Sequence, residues 1–286
     1  MGNKRRIQSV LGGLFIIAVF VLFIVFAKPQ ASSDLKVYFF DVGQGDAEYI
    51  KLADGSDILI DGGPDDKVLT ELGKAMNFGD REISLVVLSH PHADHLSGLI
   101  DVLRRYKVQE VWESGVDYPS ATYDEWKSII AEKNIPVKYV VAGDVRTIGS
   151  LNFKTLYPLS SFEKKTIDNI NNVSVINRLD YGNFSALFLG DAEKPVQAQI
   201  SGQMKPTTVL KVGHHGSGNA TLEDFLKVVR PAIAVIEVGK DNKYGHPAVS
   251  TINILKQLAI RIYRTDQNGT VEISSDGQNY SVQTQR

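Results

Sequence analysis

Six histidines occur in the chain, and none lies in the middle of a stretch patterned as a helix or a strand. His90, His92, His95, His214, His215 and His246 each follow a β-type run or sit in a loop that contains glycine or proline. The densest group is Ser89-His90-Pro91-His92-Ala93-Asp94-His95. Alternate spacing lets His90 and His92 point the same way from an extended backbone. Asp94 and His95, at the turn into a helix, can face a second point nearby. Nitrogen and oxygen donors at this density suit borderline divalent metals such as zinc or manganese. Two adjacent sites would allow a shared hydroxide, polarised by both ions, to act as nucleophile near neutral pH. Helix capping by Asp94 explains one residue and leaves three histidines unexplained.

Other positions repeat the arrangement of a strand running into a polar group. The run Ser185–Leu189 ends in Gly190-Asp191, where glycine lets the carboxylate emerge abruptly and places it to bridge two metals. The run Thr208–Val212 ends in Gly213-His214-His215-Gly216-Ser217, and the flanking glycines suit close approach of backbone to a ligand. Either histidine is a candidate to contact an anionic substrate, to donate a proton to a leaving group, or to bind metal. Tyr244-Gly245-His246-Pro247 offers His246 as a ligand of a second metal. Asp41-Val42-Gly43-Gln44-Gly45-Asp46 and Asp61-Gly62-Gly63 place further carboxylates after strands. Asp61 is expected to orient a ligating histidine. Asp41, Gln44, Asn172, Lys211 and Ser217 are candidates to line the site. The chain has no cysteine, which excludes thiolate ligands and a disulfide framework.

Stepping outward, the elements that must position these residues begin at Leu35. Short β-type runs at Lys36–Phe40, Ala47–Lys51 and Asp57–Ile60 are joined by connections too short for crossover helices, so an antiparallel start is expected. A helix over Lys67–Met76 and an apolar strand over Ile83–Leu88 follow. The stretch His95–Tyr106 carries Leu96, Leu99, Ile100 and Leu103 at helical spacing. Further strands fit Glu110–Trp112, Val137–Val141, Leu151–Leu156, Ser174–Leu179, Ser185–Leu189, Thr208–Val212 and Ile233–Glu237. Helices fit Tyr123–Lys133, Leu222–Val229 and Ser250–Leu258. Asn268-Gly269 and Asp276-Gly277, between β-prone runs, predict a closing meander with a tight hairpin. Strands flanked by helices in both halves indicate a layered α/β (α+β) fold, in one catalytic domain over residues 35–286.

The N-terminus differs in kind. Lys4-Arg5-Arg6 precede an uncharged run from Ile7 to Ala27. A helix over residues 7–27 would be about 31 Å long, enough to cross a bilayer. The basic cluster puts residues 1–6 in the cytoplasm and the folded domain outside the cell, after a linker over 28–34. A cleaved signal peptide is the alternative, since Val25-Phe26-Ala27 resembles a cleavage site; the product would then be secreted. Without its first 28 residues the chain carries 27 basic and 33 acidic residues, a balance of −6. Such a domain lacks the broad positive field of most nucleic-acid binders, so a phosphate-bearing substrate would be held locally.

Taken together, these motifs resemble the metallo-β-lactamase superfamily, whose signature is matched by His90-x-His92-x-Asp94-His95. More narrowly they resemble the C-terminal metallo-β-lactamase-fold domain of ComEC-type competence proteins, which serve DNA uptake. Asn171-Asn172-x-Ser174, Gly190-Asp191, His214-His215-Gly216-Ser217, Gly245-His246-Pro247 and Arg264-Thr265-Asp266 carry that likeness together with the loops above. The resemblance implies an αββα sandwich with one or two divalent ions. It implies a first metal on His90, His92 and Asp191, and a second on Asp94, His95, Asp191 and His246. Asp94, His214 and His215 are then the catalytic candidates, with His214 or His215 against the substrate. Many members carry a further histidine about twenty residues before the bridging aspartate, where this chain has Asn171-Asn172; single occupancy or a preference for manganese follows. One span in place of a multi-helix channel means that a DNA channel is not expected of this chain by itself. The leading expectation is a surface-anchored phosphodiesterase, with single-stranded DNA among its substrates. Hydrolysis of a lactam, lactone or thioester is the enzymatic alternative, and a non-catalytic module that binds nucleic acid or a partner is the third. No protein partner is identifiable.

Overall fold

The structure, a computed structural model, describes residues 35–286. The expected membrane-spanning helix over residues 7–27 lies outside the described residues. Among the described residues no helix is long and apolar enough to cross a membrane.

The first half runs β1 (Leu35–Phe39), β2 (Glu48–Leu52), β3 (Asp57–Ile60), α1 (Lys67–Ala75), β4 (Glu82–Ile83), β5 (Leu85–Val87), α2 (Ala93–Arg105), β6 (Lys107–Val108), β7 (Val111–Glu113), α3 (Ala121–Lys133) and β8 (Val137–Tyr139). The second half runs β9 (Val145–Ile148), β10 (Leu151–Tyr157), β11 (Ile176–Tyr181), β12 (Phe184–Phe188), α4 (Lys194–Ile200), β13 (Val209–Lys211), α5 (Glu223–Val229), β14 (Ile233–Ile236), α6 (Val249–Gln257) and β15 (Arg261–Arg264). Strands β16 (Val271–Ser275) and β17 (Tyr280–Thr284) return to the first sheet.

Two sheets result, in the orders β17-β16-β1-β2-β3-β5-β7-β8 and β15-β14-β13-β12-β11-β10-β9. Strand parity explains why they stack. Along β3, Ile58 and Ile60 face the opposite sheet while Leu59 faces helices, and Leu85 and Val87 against Val86 do the same on β5. Successive side chains of a strand point to opposite faces, so strands apolar at every position must be covered on both sides. Phe39, Trp112, Phe153 and Phe188 fill the layer between the sheets. Helices α1, α2 and α3 cover the outer face of the first sheet, with Leu96, Leu99, Ile100 and Leu103 of α2 in that core. Helices α4, α5 and α6 cover the outer face of the second. The four layers are the αββα sandwich.

Three boundaries depart from the sequence pattern for local reasons. The apolar run Ile83–Leu88 is two strands, because Ser84 breaks away to exchange hydrogen bonds with Asp57, its N–H donating to Oδ1 at 2.7 Å; β4 then pairs with β6 in a separate ribbon. The β11 strand begins at Ile176 after a 3₁₀ turn over Ile170–Val173. The edge strands β9 and β15 and the short α4 have no apolar periodicity strong enough to mark them, though Pro195 in the first turn of α4 is a position that suits proline.

Candidate metal centre

The antiparallel start gives way to parallel pairing at β3-β5 and at β12-β13-β14. Parallel neighbours end on the same side, and every candidate group after β3, β5, β12, β13 and β14 leaves from a carboxyl end. Loops there are the usual place for ligands in α/β sheets. Two glycines close the gap. Gly190 lies at φ +50°, and a Cβ there would sit 2.9 Å from the Ser89 Cβ. A Cβ at Gly98 of α2 would sit 1.9 Å from the Gly62 carbonyl oxygen, so only glycine lets α2 dock against the turn that holds Asp61.

His95 is buried, and its Nδ1–H donates to Asp61 Oδ2 at 2.7 Å. Asp61 also accepts from the Ser89 hydroxyl at 2.6 Å and the Ser89 N–H at 2.8 Å. This leaves His95 Nε2 facing inward without a partner, 3.4 Å from Asp191 Oδ2. His90 has its Nδ1 3.0 Å from the Ser89 hydroxyl and its Nε2 3.8 Å from Asp191 Oδ2. Asp94 does not cap α2; its Oδ2 lies 3.3 Å from His215 Nε2. His215, with left-handed backbone at φ +52°, donates from Nδ1 to the Glu237 carbonyl at 3.0 Å, and Asp46 Oδ1 stands 3.1 Å from the same nitrogen. Its Nε2 is buried and unpartnered, as is Asp191 Oδ1.

Among the described residues, five groups of donors have ligand atoms within 4.8 Å of one another: three draw on Asp46, and the other two are His90 with His95 and Asp191, and Asp94 with His95 and His215. Buried polar atoms normally have partners, so orphans on His95, His215 and Asp191 that converge on one volume fit a divalent cation. The donor types suit zinc or manganese alike. The electrostatics agree. Burial disfavours the charged form of His95, yet Asp191 and Asp61 hold it well above the usual histidine range. Burial, with His95 beside it, holds His90 well below that range. Burial opposes ionisation of Asp94, but the nearness of His215 and His95 keeps it well below the usual carboxylate range.

His246 joins none of these groups. It stands at the rim, its ring centroid 5.6 Å from that of His214, while His215 occupies the place beside Asp94 and His95. The reason is backbone: two successive left-handed residues, His214 and His215, throw the second side chain down into the centre. His92 is the residue before α2, with its Nδ1 3.1 Å from His90 Nε2, and it too lies outside them all. His214 is half-buried, with Nε2 3.8 Å from Asp191 Oδ2 and Nδ1 3.6 Å from Glu193 Oε1. The Asn171 side-chain amide lies 3.3 Å from His214 Nδ1. Asn171, not Asn172, therefore reaches the centre; Asn172 accepts from the Glu193 N–H and buttresses that loop. Ser217 accepts from the Asn219 N–H, Gln44 accepts from the Gly239 N–H, and Asp41 pairs with Arg286. The side chains of these three tie loops together, and none belongs to a donor group.

Beneath the donors lies a layer in which the sequence patterns leave Glu48 and Glu237 unmarked and mark Asp46 only as a loop carboxylate. Asp46 accepts from the Lys211 ammonium, and both are fully buried. Glu48 and Glu237 lie together; burial and each other's charge raise Glu48 well above the usual range, and burial raises Glu237 against the pull of Lys211. Burial pushes the Lys211 ammonium down to about 7. The available signal was a charged residue at the end of an otherwise apolar run, as in Leu210-Lys211-Val212 and Ile236-Glu237-Val238.

Residues 40–239 match the family described as the metallo-beta-lactamase superfamily. The chain is 31% identical over 295 residues to ComE operon protein 3 of Bacillus subtilis (strain 168), covering 94% of this chain and 37% of the relative. It is 27% identical over 277 residues to Recombination protein 2 of Haemophilus influenzae, covering 95% and 33%, and 27% identical over 263 residues to Competence protein ComA of Neisseria gonorrhoeae, covering 91% and 35%. The motif resemblance to competence proteins is thus shown, and the chain spans about a third of the length of these relatives. Among solved structures, the metallo-beta-lactamase fold protein YhfI from Bacillus subtilis superposes with a TM-score of 0.56 at 11% identity, over 84% of this chain and 99% of that one. Igni18, a metallo hydrolase from Ignicoccus hospitalis, gives 0.55 at 15% identity, over 83% and 98%; both show the fold alone. With the matched span running from the end of β1 past β14, and the fold agreeing independently, the chain belongs to the metallo-β-lactamase superfamily.

Proposed function

We propose that this chain is a metal-dependent hydrolase of phosphodiesters, with single-stranded DNA as its leading substrate. The observation that carries the reading is the convergence of unpartnered buried atoms, His95 Nε2, His215 Nε2 and Asp191 Oδ1, beneath the half-exposed His214. One or two divalent cations, zinc or manganese, on His90, His95, Asp191, Asp94 and His215 would supply Lewis-acid activation of water and neutralise charge at a phosphoryl oxygen. The protein's own residues do the rest. Asp61 fixes the tautomer of His95, and the Glu237 carbonyl with Asp46 fixes that of His215, so both Nε2 lone pairs face the centre. His214, steered by Asn171 and Glu193, holds Nε2 toward Asp191. From there it delivers a proton to the departing oxygen. The competence relatives support a nucleic-acid substrate. The basic cluster and uncharged run before residue 28 support a single-pass tether with the domain outside the cell; a signal peptide would instead leave a secreted form, which the mass of the mature chain distinguishes.

One observation favours a non-catalytic binding role, the asparagine at 171 where many family members carry histidine. Elemental analysis of the purified protein, with assays of bis(p-nitrophenyl) phosphate, single-stranded DNA and a chromogenic lactam under zinc and under manganese, decides among the readings. Metal at one or two equivalents, with phosphodiester turnover that Asp191→Ala abolishes, is the expected result. Metal without turnover supports the binding role, turnover of the lactam alone supports another bond, and no metal under any loading overturns the proposal.

A further inference from the structure

All six histidine rings lie in one continuous chain of ring contacts. From one end the centroid spacings are 5.9 Å for Tyr118 to His92, 4.7 Å for His92 to His90, and 4.2 Å for His90 to His95. They continue at 5.5 Å to His215, 6.0 Å to His214, 5.6 Å to His246 and 6.0 Å to Tyr244. A tyrosine closes each end, but the two differ. Tyr118 is partly buried and packs on the core. Tyr244 is 58% exposed and stacks on His246 with 19° between the ring planes.

Tyr244 is not a loose loop tip. The Asn242 side chain pins its loop at four points, accepting from the N–H groups of Tyr244 and His246 and donating to the carbonyls of Gly239 and His246 at 2.7 to 3.2 Å. Gly239 is tied in turn to Gln44. The same loop carries the exposed cations Lys240 and Lys243, with the exposed Asp241 between them in sequence, and the Lys243 ammonium lies over the Tyr244 ring, 5.4 Å from its centre. An exposed aromatic ring in a tethered loop, with a flexible lysine ammonium over it, has the two features that single-stranded nucleic-acid sites combine: a surface for base stacking and positive charge for the backbone.

We propose that Tyr244, backed by His246 and with the Lys243 ammonium over its ring, is a stacking platform for a nucleobase of the substrate at the rim of the metal centre. The inference rests on the phosphodiester reading and narrows it to base-bearing, unpaired strands, recognised without regard to sequence because every base offers a π-face. Ring contacts link the platform through His246 to His214, whose Nε2 is 3.8 Å from Asp191 Oδ2, so the stacked base lies on the same rim as the centre. Tyr244 is then a specificity-determining residue and not a catalytic one.

The test uses the full-length protein. A fluorescein-labelled oligodeoxythymidylate and an abasic strand of equal length are titrated by fluorescence anisotropy in EDTA, and cleavage of each is then followed with manganese. The base-bearing strand should bind about tenfold more tightly than the abasic one. Tyr244→Ala should erase that preference, Tyr244→Trp should keep it, and Asn242→Ala, which frees the loop, should reduce it. Tyr280→Ala, an exposed tyrosine on β17, serves as the neutral control. An undiminished preference in Tyr244→Ala, or an equal loss on both strands, overturns the platform. A Tyr244-dependent preference without cleavage of any phosphodiester would sink the hydrolase reading and leave the platform standing; cleavage with no such preference does the reverse.

Discussion

Asp46, Glu48, Asp61, Lys211 and Glu237, which form the floor of the centre, are all fully buried, whereas at the rim the side chain of His214 is 26% exposed and Tyr244 more so. Charged groups out of water must be paired or neutralised. The floor complies: Lys211 meets Asp46, Asp61 meets His95 and Ser89, and Glu48 and Glu237 are pushed toward their neutral forms. The rim faces water and needs no such closure. The comparison teaches a division of labour. The floor fixes where the donor atoms point and costs stability when broken, and the rim meets the substrate and can change without unfolding the domain.

Four measurements would break or sharpen that division. The largest effect is expected at the rim. His214→Ala should lower kcat by about 10²- to 10⁴-fold, the usual worth of a positioned general acid, with metal content unchanged; a fall in bound metal would move His214 into the donor set. Next is the floor's ion pair. Lys211→Met leaves Asp46 buried without its cation and should cost about 3–5 kcal/mol of stability, read from a denaturant midpoint. An unchanged midpoint would show that the floor tolerates an unpaired acid.

Smaller again, Asp61→Ala removes the acceptor that orients His95, so metal affinity should weaken about 10- to 100-fold in a competitive chelator titration. Last is proton linkage. Burial disfavours the charged form of His95, but Asp191 and Asp61 outweigh it and favour its protonated form without metal, and ligation at Nε2 must expel that proton. Affinity should therefore rise with pH through the neutral range, with release of about one proton. Calorimetry in buffers of different ionisation enthalpy counts it, and no release would place the metal off His95.

Much of the fold was legible. Short apolar, β-prone runs marked most strands and helical spacing marked α2, but the pairing of β4 with β6, and of β16 with β1 across more than two hundred residues, has no local signature. The site divides in the same way. His90, His92, Asp94 and His95 fall within six residues, so a loop of known kind carries them together whatever the rest of the chain does. In the second half the family resemblance put His246 beside Asp94, and the structure has His215 there. Sequence spacing favours neither, because the choice depends on two left-handed residues and on which ring the Glu237 carbonyl and Asp46 can hold.

What the sequence determined by itself was the chemistry on offer: six histidines and a few aspartates at strand ends, no thiol, and strands apolar on both faces that had to be sandwiched. Residue type and short-range periodicity are local properties, and both are written in order along the chain. What tertiary structure alone decided was convergence. The sequence offers Lys211 on β13 only as a candidate to line the site, and folding buries it against Asp46; His215 joins the candidate donors only where the carboxyl ends of strands from both sheets meet. Such contacts join residues more than a hundred positions apart, and their energies arise from burial, which no stretch of sequence possesses before it folds.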